Sequence, residues 1–240
     1  MTSTPTPSIT VQRADERFVT DIGWLDSKHS FNFGHHFSPD HQGHGLLLVN
    51  NDDVVAPGQG FGTHGHRDME IVTWVLSGKL EHRDSTGTHG VIHPGLAQRM
   101  SAGRGIRHSE MNASPDKPVH FVQMWVLPDT EGVDPGYEQR DLTAELDAGG
   151  LVAVASGQGH AGAVSIHQRG AVLWAARLSS GDSVAVPADR HVHLFVALGA
   201  GALDAAGPLG QGDAVRLTDA GPTTFTAAAD GTEILVWVTA

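Results

Sequence analysis

Short runs of apolar and β-branched residues recur along the chain, each closed by a cluster of Gly, Pro, Asn or Asp. That is the pattern of β-strands separated by tight turns. In the first half it predicts strands at Ile9–Val11 and around Val19, at Gly45–Asn50, from Met69 to Leu80 and from Val119 to Leu127, with a hairpin over Glu81–Gly87. In the second half it predicts strands at Leu151–Ala155, Ala163–His167, Ala171–Leu178, Ser183–Val186, His191–Ala197, Ala214–Leu217 and Ile234–Val238. One stretch, Asp141–Asp147, has helical character, and it follows a segment broken by Gly132, Pro135 and Gly136. The reading is therefore all-β, closed or sandwich-like, with a domain boundary near the middle. Residues 1–10 are expected to be a disordered tail, 11–130 an N-terminal domain, 131–150 a linker with a short helical segment, and 151–240 a C-terminal domain.

Composition supports this picture and narrows it. Among 240 residues there are 30 Gly and 12 Pro, against 40% hydrophobic residues, enough to pack strands between many turns. The net charge of −12 disfavours direct binding to the phosphate backbone of nucleic acid. No run of apolar residues is long enough to cross a membrane as a helix, and the first residues lack the basic start and apolar run of a signal peptide, so a cytoplasmic protein is expected. With no Cys, thiolate chemistry is excluded, and any metal must sit on His, Asp or Glu.

The chain contains 16 His, and their spacing matters more than their number. His64 and His66 stand at i and i+2 on an extended segment, and His108 and Glu110 repeat that spacing. Side chains alternate across a strand, so each pair points to one face. If the two segments lie side by side, three imidazoles and a carboxylate converge into a donor set for a divalent first-row metal with open positions. That chemistry does not choose among iron, manganese, cobalt, nickel, copper and zinc. Two other groups of histidines read as ordinary. His35, His36, His41 and His44 are taken as loop residues that rim a cleft, and His191 and His193 as a pair without further ligands. Trp74, Phe121 and Trp125 are read as core residues, His82 as a hairpin residue with local hydrogen bonds, Asn112 as structural, and Arg104 and Arg107 as solvated.

Four segments in order, Gly58–Ile71, Glu81–Ser85, Met100–Glu110 and Tyr137–Arg140, resemble signatures of the pirin family of bicupins, above all its bacterial quercetin 2,3-dioxygenase-like members. The resemblance is strong from Gly23 to Arg140 and covers only the layout beyond. It implies two jelly-roll-like β-barrel cupin domains packed face to face, with the metal in the N-terminal one. It carries the ligand role onto His64, His66, His108 and Glu110, with Glu70 as the competing carboxylate offered by the general cupin pattern. It implies iron in eukaryotic members and variable occupancy elsewhere. The expected activity is the cleavage of flavonols such as quercetin by O2 with release of carbon monoxide, with Glu110 as the catalytic base, in a monomer. The alternative is a non-catalytic metal or redox sensor that binds a partner protein.

Overall fold

The computed structural model describes residues 7–240. The first half is built from β1 (Ser8–Gln12), β2 (Phe18–Asp21), β3 (Leu25–His29), β4 (Leu47–Val55), β5 (Gly60–His66) and β6 (Glu70–Ser77). It continues with β7 (Leu80–Asp84), β8 (His89–Ile92), β9 (Leu96–Ser101), β10 (Ile106–Asn112), β11 (Val119–Val126) and β12 (Gly136–Asp141). Among the described residues one short α-helix, α1 (Thr143–Asp147), stands where the sequence shows helical character. After it come β13 (Val152–Ser156), β14 (Val164–Ser165), β15 (Ala171–Leu178), β16 (Ser183–Val186) and β17 (His191–Leu198). The chain closes with β18 (Ala200–Leu203), β19 (Gly207–Gly210), β20 (Ala214–Thr218), β21 (Thr223–Ala227) and β22 (Thr232–Thr239).

Each half pairs a seven-stranded sheet with a four-stranded one, so the bicupin layout takes the form of two sandwiches rather than closed ladders. In the first half the orders are β12-β9-β6-β11-β4-β3-β2 and β5-β10-β7-β8; in the second they are β1-β20-β17-β22-β15-β13-β14 and β16-β21-β18-β19. The two large sheets pack face to face, and the alternation of strand side chains explains how. On β11, Phe121 faces the interior of the first half while Val122, Met124 and Val126 face the second. On β22, Leu235 and Trp237 meet them, while Ile234, Val236 and Val238 fill the interior of the second half. Such strands are buried on both faces and read as unbroken apolar runs.

Two boundaries differ from expectation. Ser8–Gln12 is not tail: it forms β1, pairing antiparallel with β20 from Ser8↔Thr218 to Gln12↔Ala214, because an open edge of the second half's sheet offers it a ladder. Residues 1–6 of the expected tail lie outside the described residues. Part of the expected linker is likewise strand, since β12 pairs with β9 from Gly136↔Ser101 to Asp141↔Leu96 and extends the first sheet. Strands β18, β19 and β21 leave little trace in the apolar pattern, because each carries one large apolar residue, Leu203, Leu209 or Phe225, among Ala, Gly, Pro and Thr. Among the described residues no helix is long and apolar enough to cross a membrane.

Candidate metal centre

Strands β5 and β10 do lie side by side. Their antiparallel register sets His108 opposite His64 and Ile106 opposite His66, with a bulge before Glu110 pairs with Phe61. Ring centroids of the three histidines stand 4.5, 4.9 and 5.0 Å apart. Their ligand nitrogens all lie within 4.8 Å of one another. Glu110 lies on the same strand face, and an oxygen of it comes within that same distance of His108 and of His82. His82 enters because β7 flanks β10 on its other side, pairing His82 with Glu110 and Asp84 with His108.

Local hydrogen bonds orient the rings. His64 donates from Nδ1 to the Gly62 carbonyl at 2.8 Å, which leaves Nε2 with its lone pair. His108 Nδ1 meets His82 Nδ1 at 3.4 Å, and His82 Nε2 lies 3.2 Å from the Asp84 carboxylate, so a line of three groups backs His108 from behind. His108 Nε2 is buried without any partner. A buried nitrogen left without a hydrogen bond is costly unless something else satisfies it, and a metal ion would. Burial, reinforced by the neighbouring imidazoles, pushes His66 down to about 4 and His108 down to about 3. Both rings are therefore neutral at pH 7, the form that ligates. For Asp84, burial would raise the carboxyl, but hydrogen bonds from Thr86 and His82 outweigh it and hold the group below its ordinary range.

Glu110 is held on the other side. Its Oε1 accepts from Thr73 Oγ1 at 3.4 Å and its Oε2 from Gln123 Nε2 at 2.7 Å, while Gln123 Oε1 accepts from Trp125 Nε1 at 3.1 Å. Glu70, the competing carboxylate, is elsewhere: it accepts from Ser101 Oγ at 2.8 Å and contacts His167 Nδ1 of the second half at 3.2 Å. It belongs to neither cluster of ligand atoms.

His64, His66 and Glu110 line a cavity of about 280 Å3 between the two sheets of the first half, with walls of Leu25, Phe33, Phe61 and Trp125. Trp125 stands edge-on to His66 at 4.9 Å and to Phe33 at 5.6 Å. It is a cavity wall rather than the core residue expected, because on β11 it shares the face of Gln123. Trp74 and Phe121 are core as expected. His82 is likewise more than a hairpin histidine, being fully buried against His108. Asn112 is structural, its Nδ2 donating to the carbonyls of Val55, Ala56 and Lys117. Arg104 is exposed and paired with Asp134 at 2.5 Å. Of the loop histidines, His35 lines the cavity and His36 bonds Thr20, while His44 reaches the Leu217 carbonyl at 2.9 Å. His193 is buried against Phe31, and His191 stacks edge-on with His44. Among the described residues neither group enters a cluster of ligand atoms. Thr73, Asp84 and Gln123 have no role in the sequence reading, and the one signal for them is a Gln inside the apolar run Val119–Val126.

Comparison with known proteins then places the chain. The Pirin family model matches residues 11–126, and a model described as the quercetinase C-terminal cupin domain matches residues 153–237. A relative from Mycobacterium tuberculosis is 53% identical over 233 residues, covering 97% of this chain and 95% of its own length. The chain belongs to the pirin family. Another relative, the quercetin 2,3-dioxygenase of Escherichia coli, is 42% identical over 192 residues, 80% of this chain and 82% of its own. The bacterial pirin YhhW of Escherichia coli, solved in complex with nickel(II), superposes with a TM-score of 0.89 at 35% identity, over 97% of this chain and 99% of that one.

Proposed function

We propose that this pirin is a metal-dependent dioxygenase of the quercetin 2,3-dioxygenase type, with the metal held by His64, His66, His108 and Glu110. The observation that carries the reading is the cavity: a pocket of about 280 Å3 with aromatic walls opens directly onto the histidine cluster and its carboxylate. A regulatory metal site that only senses oxidation state has no need of a ligand-sized apolar chamber. The similarity to the quercetin 2,3-dioxygenase of Escherichia coli supports the same reading, and the nickel complex of YhhW supports a divalent metal.

The bound metal would supply Lewis acidity to a flavonol's 3-hydroxyl and a meeting point for O2. The protein's own groups do the rest. Leu25, Phe33, Phe61 and Trp125 flank a planar ring system and exclude water. Glu110 accepts the proton of the 3-hydroxyl, acting as general base. Gln123 and Thr73 hold that carboxylate toward the cavity, and Trp125 fixes Gln123 in turn. His82 holds the ring of His108. Overall, both atoms of O2 enter the opened ring and one ring carbon leaves as carbon monoxide.

Metal-loaded protein incubated with quercetin in air tests the proposal through oxygen uptake and carbon monoxide release. His66→Ala is expected to lose both metal and turnover. An unchanged metal content in that variant would refute the ligand assignment, and wild-type protein that leaves quercetin intact would refute the activity.

A further inference from the structure

The floor of the cavity carries a polar stripe that runs on beyond the groups the reaction above uses. Strand pairing lays it out: Thr73 on β6 pairs with Gln123 on β11, Gln123 with Asn51 on β4, and Asn51 with His29 on β3. The next row on the same face runs from Phe121 to Asp53 to Ser27. Adjacent strands stand about 4.8 Å apart, so Asn51 and Asp53 lie about 5 Å, and Ser27 and His29 about 10 Å, across the sheet from the strand that holds Glu110's partner Gln123. All four line the cavity.

Their hydrogen bonds fix which atoms remain available. Asn51 Oδ1 accepts from His29 Nδ1 at 2.8 Å, which leaves the amide nitrogen of this cavity-lining residue as its donor. That tautomer makes His29 Nε2 the acceptor of Thr20 Oγ1 at 2.9 Å, and Thr20 is bonded in turn by His36 at 3.0 Å. Asp53 Oδ1 accepts from Ser27 Oγ, leaving Oδ2. No cation pairs with Asp53 among the described residues, since Arg17 is taken by Asp52 at 3.1 Å. Burial, with the nearby charges of Asp52 and Glu110, pushes the Asp53 carboxyl up to about 7 against the bond from Ser27. A buried carboxyl held by a single hydroxyl beside an open cavity is a group waiting for a polar ligand atom.

We propose that Asp53 and Asn51, oriented by Ser27 and His29, form a second polar subsite that binds hydroxyl groups on the substrate ring remote from the 3-hydroxyl. The subsite rests on the dioxygenase reading and adds to it a preference for polyhydroxylated flavonols. It makes Asp53 a determinant of specificity rather than of the chemical step.

The test is equilibrium binding to the metal-loaded full chain under anaerobic conditions, read by quenching of tryptophan fluorescence. Two ligands are compared: quercetin, and 3-hydroxyflavone, which lacks every other hydroxyl. Asp53→Leu, close in size, is expected to weaken quercetin about tenfold, the loss of one hydrogen bond to an ionisable group, and to leave 3-hydroxyflavone unchanged. Ser27→Ala, which frees the carboxyl from its donor, is expected to shift the ratio in the same direction by less. It decides the matter should Asp53→Leu fail to fold. Equal losses for both ligands, or no loss for either, would overturn the subsite. Wild-type protein that binds neither would overturn the dioxygenase reading, and the subsite with it.

Discussion

His108 belongs to both clusters of potential ligand atoms, and the groups behind it decide how firmly it can serve. The Asp84–His82–His108 line is the arrangement in which a carboxylate and a second ring set the tautomer and tilt of a ligand. Removing such support typically weakens metal binding 10- to 100-fold. His82→Ala is therefore expected to raise the dissociation constant for metal by about that factor, measured by competition with a chelator, while the fold is kept. A metal affinity equal to wild type would assign His82 to packing alone. At this scale the sequence was most legible where spacing carried the signal. The i, i+2 pairs at 64/66 and 108/110 declared a shared face before any partner was known. Thr73 and Asp53 declared nothing, and His82 no more than its local bond to Asp84, because a lone polar residue in a strand acquires its further meaning from the strand beside it, and those neighbours come from distant segments.

Strands β5 and β10 carry the proposed ligands, and a glycine sets how closely they approach. A Cβ on Gly60 would sit 2.2 Å from the Glu110 carbonyl oxygen and 2.6 Å from Met111 Cα, both backbone atoms that cannot swing away. Gly60→Ala is expected to push the two strands apart, reducing metal content and lowering the melting temperature together. Across the interface of the two halves, Glu233 on β22 accepts from Trp74 Nε1 at 2.5 Å and from Arg177 Nε at 2.7 Å. Glu233→Ala leaves a buried indole N–H without its acceptor, so a loss of about 2–4 kcal/mol by denaturant unfolding is expected. Neither tie could be read from the chain. The apolar runs of β11 and β22 announce strands buried on both faces but not which sheet meets which, and a glutamate ahead of an apolar run looks like a solvated strand end.

For the molecule as a whole, the balance of buried titratable groups fixes how stability responds to acid. His29, His41, His44, His66, His108 and His193 are all depressed, chiefly by burial, with His44 at about 4. Above about pH 6.5 they are neutral in both folded and unfolded chains and contribute no pH dependence. As pH falls below that value the unfolded chain takes up protons that the folded one refuses, costing up to about 1.4 kcal/mol per pH unit for each fully buried ring. Asp53 opposes them. Its carboxyl, raised to about 7, stays protonated in the fold while it ionises in the unfolded chain above its ordinary value of 3.8, so it favours folding as pH drops from 7 toward 4. Six rings outweigh one carboxyl, and metal-free protein is expected to melt at a lower temperature at pH 5 than at pH 7.5. The pairing of β1 with β20 has a further consequence, in the order of events during synthesis. Ser8–Gln12 leaves the ribosome long before its partner, Ala214–Thr218. Until then β1 is an idle sticky end, and the sheet of the second half is finished by a strand translated ahead of the whole first half.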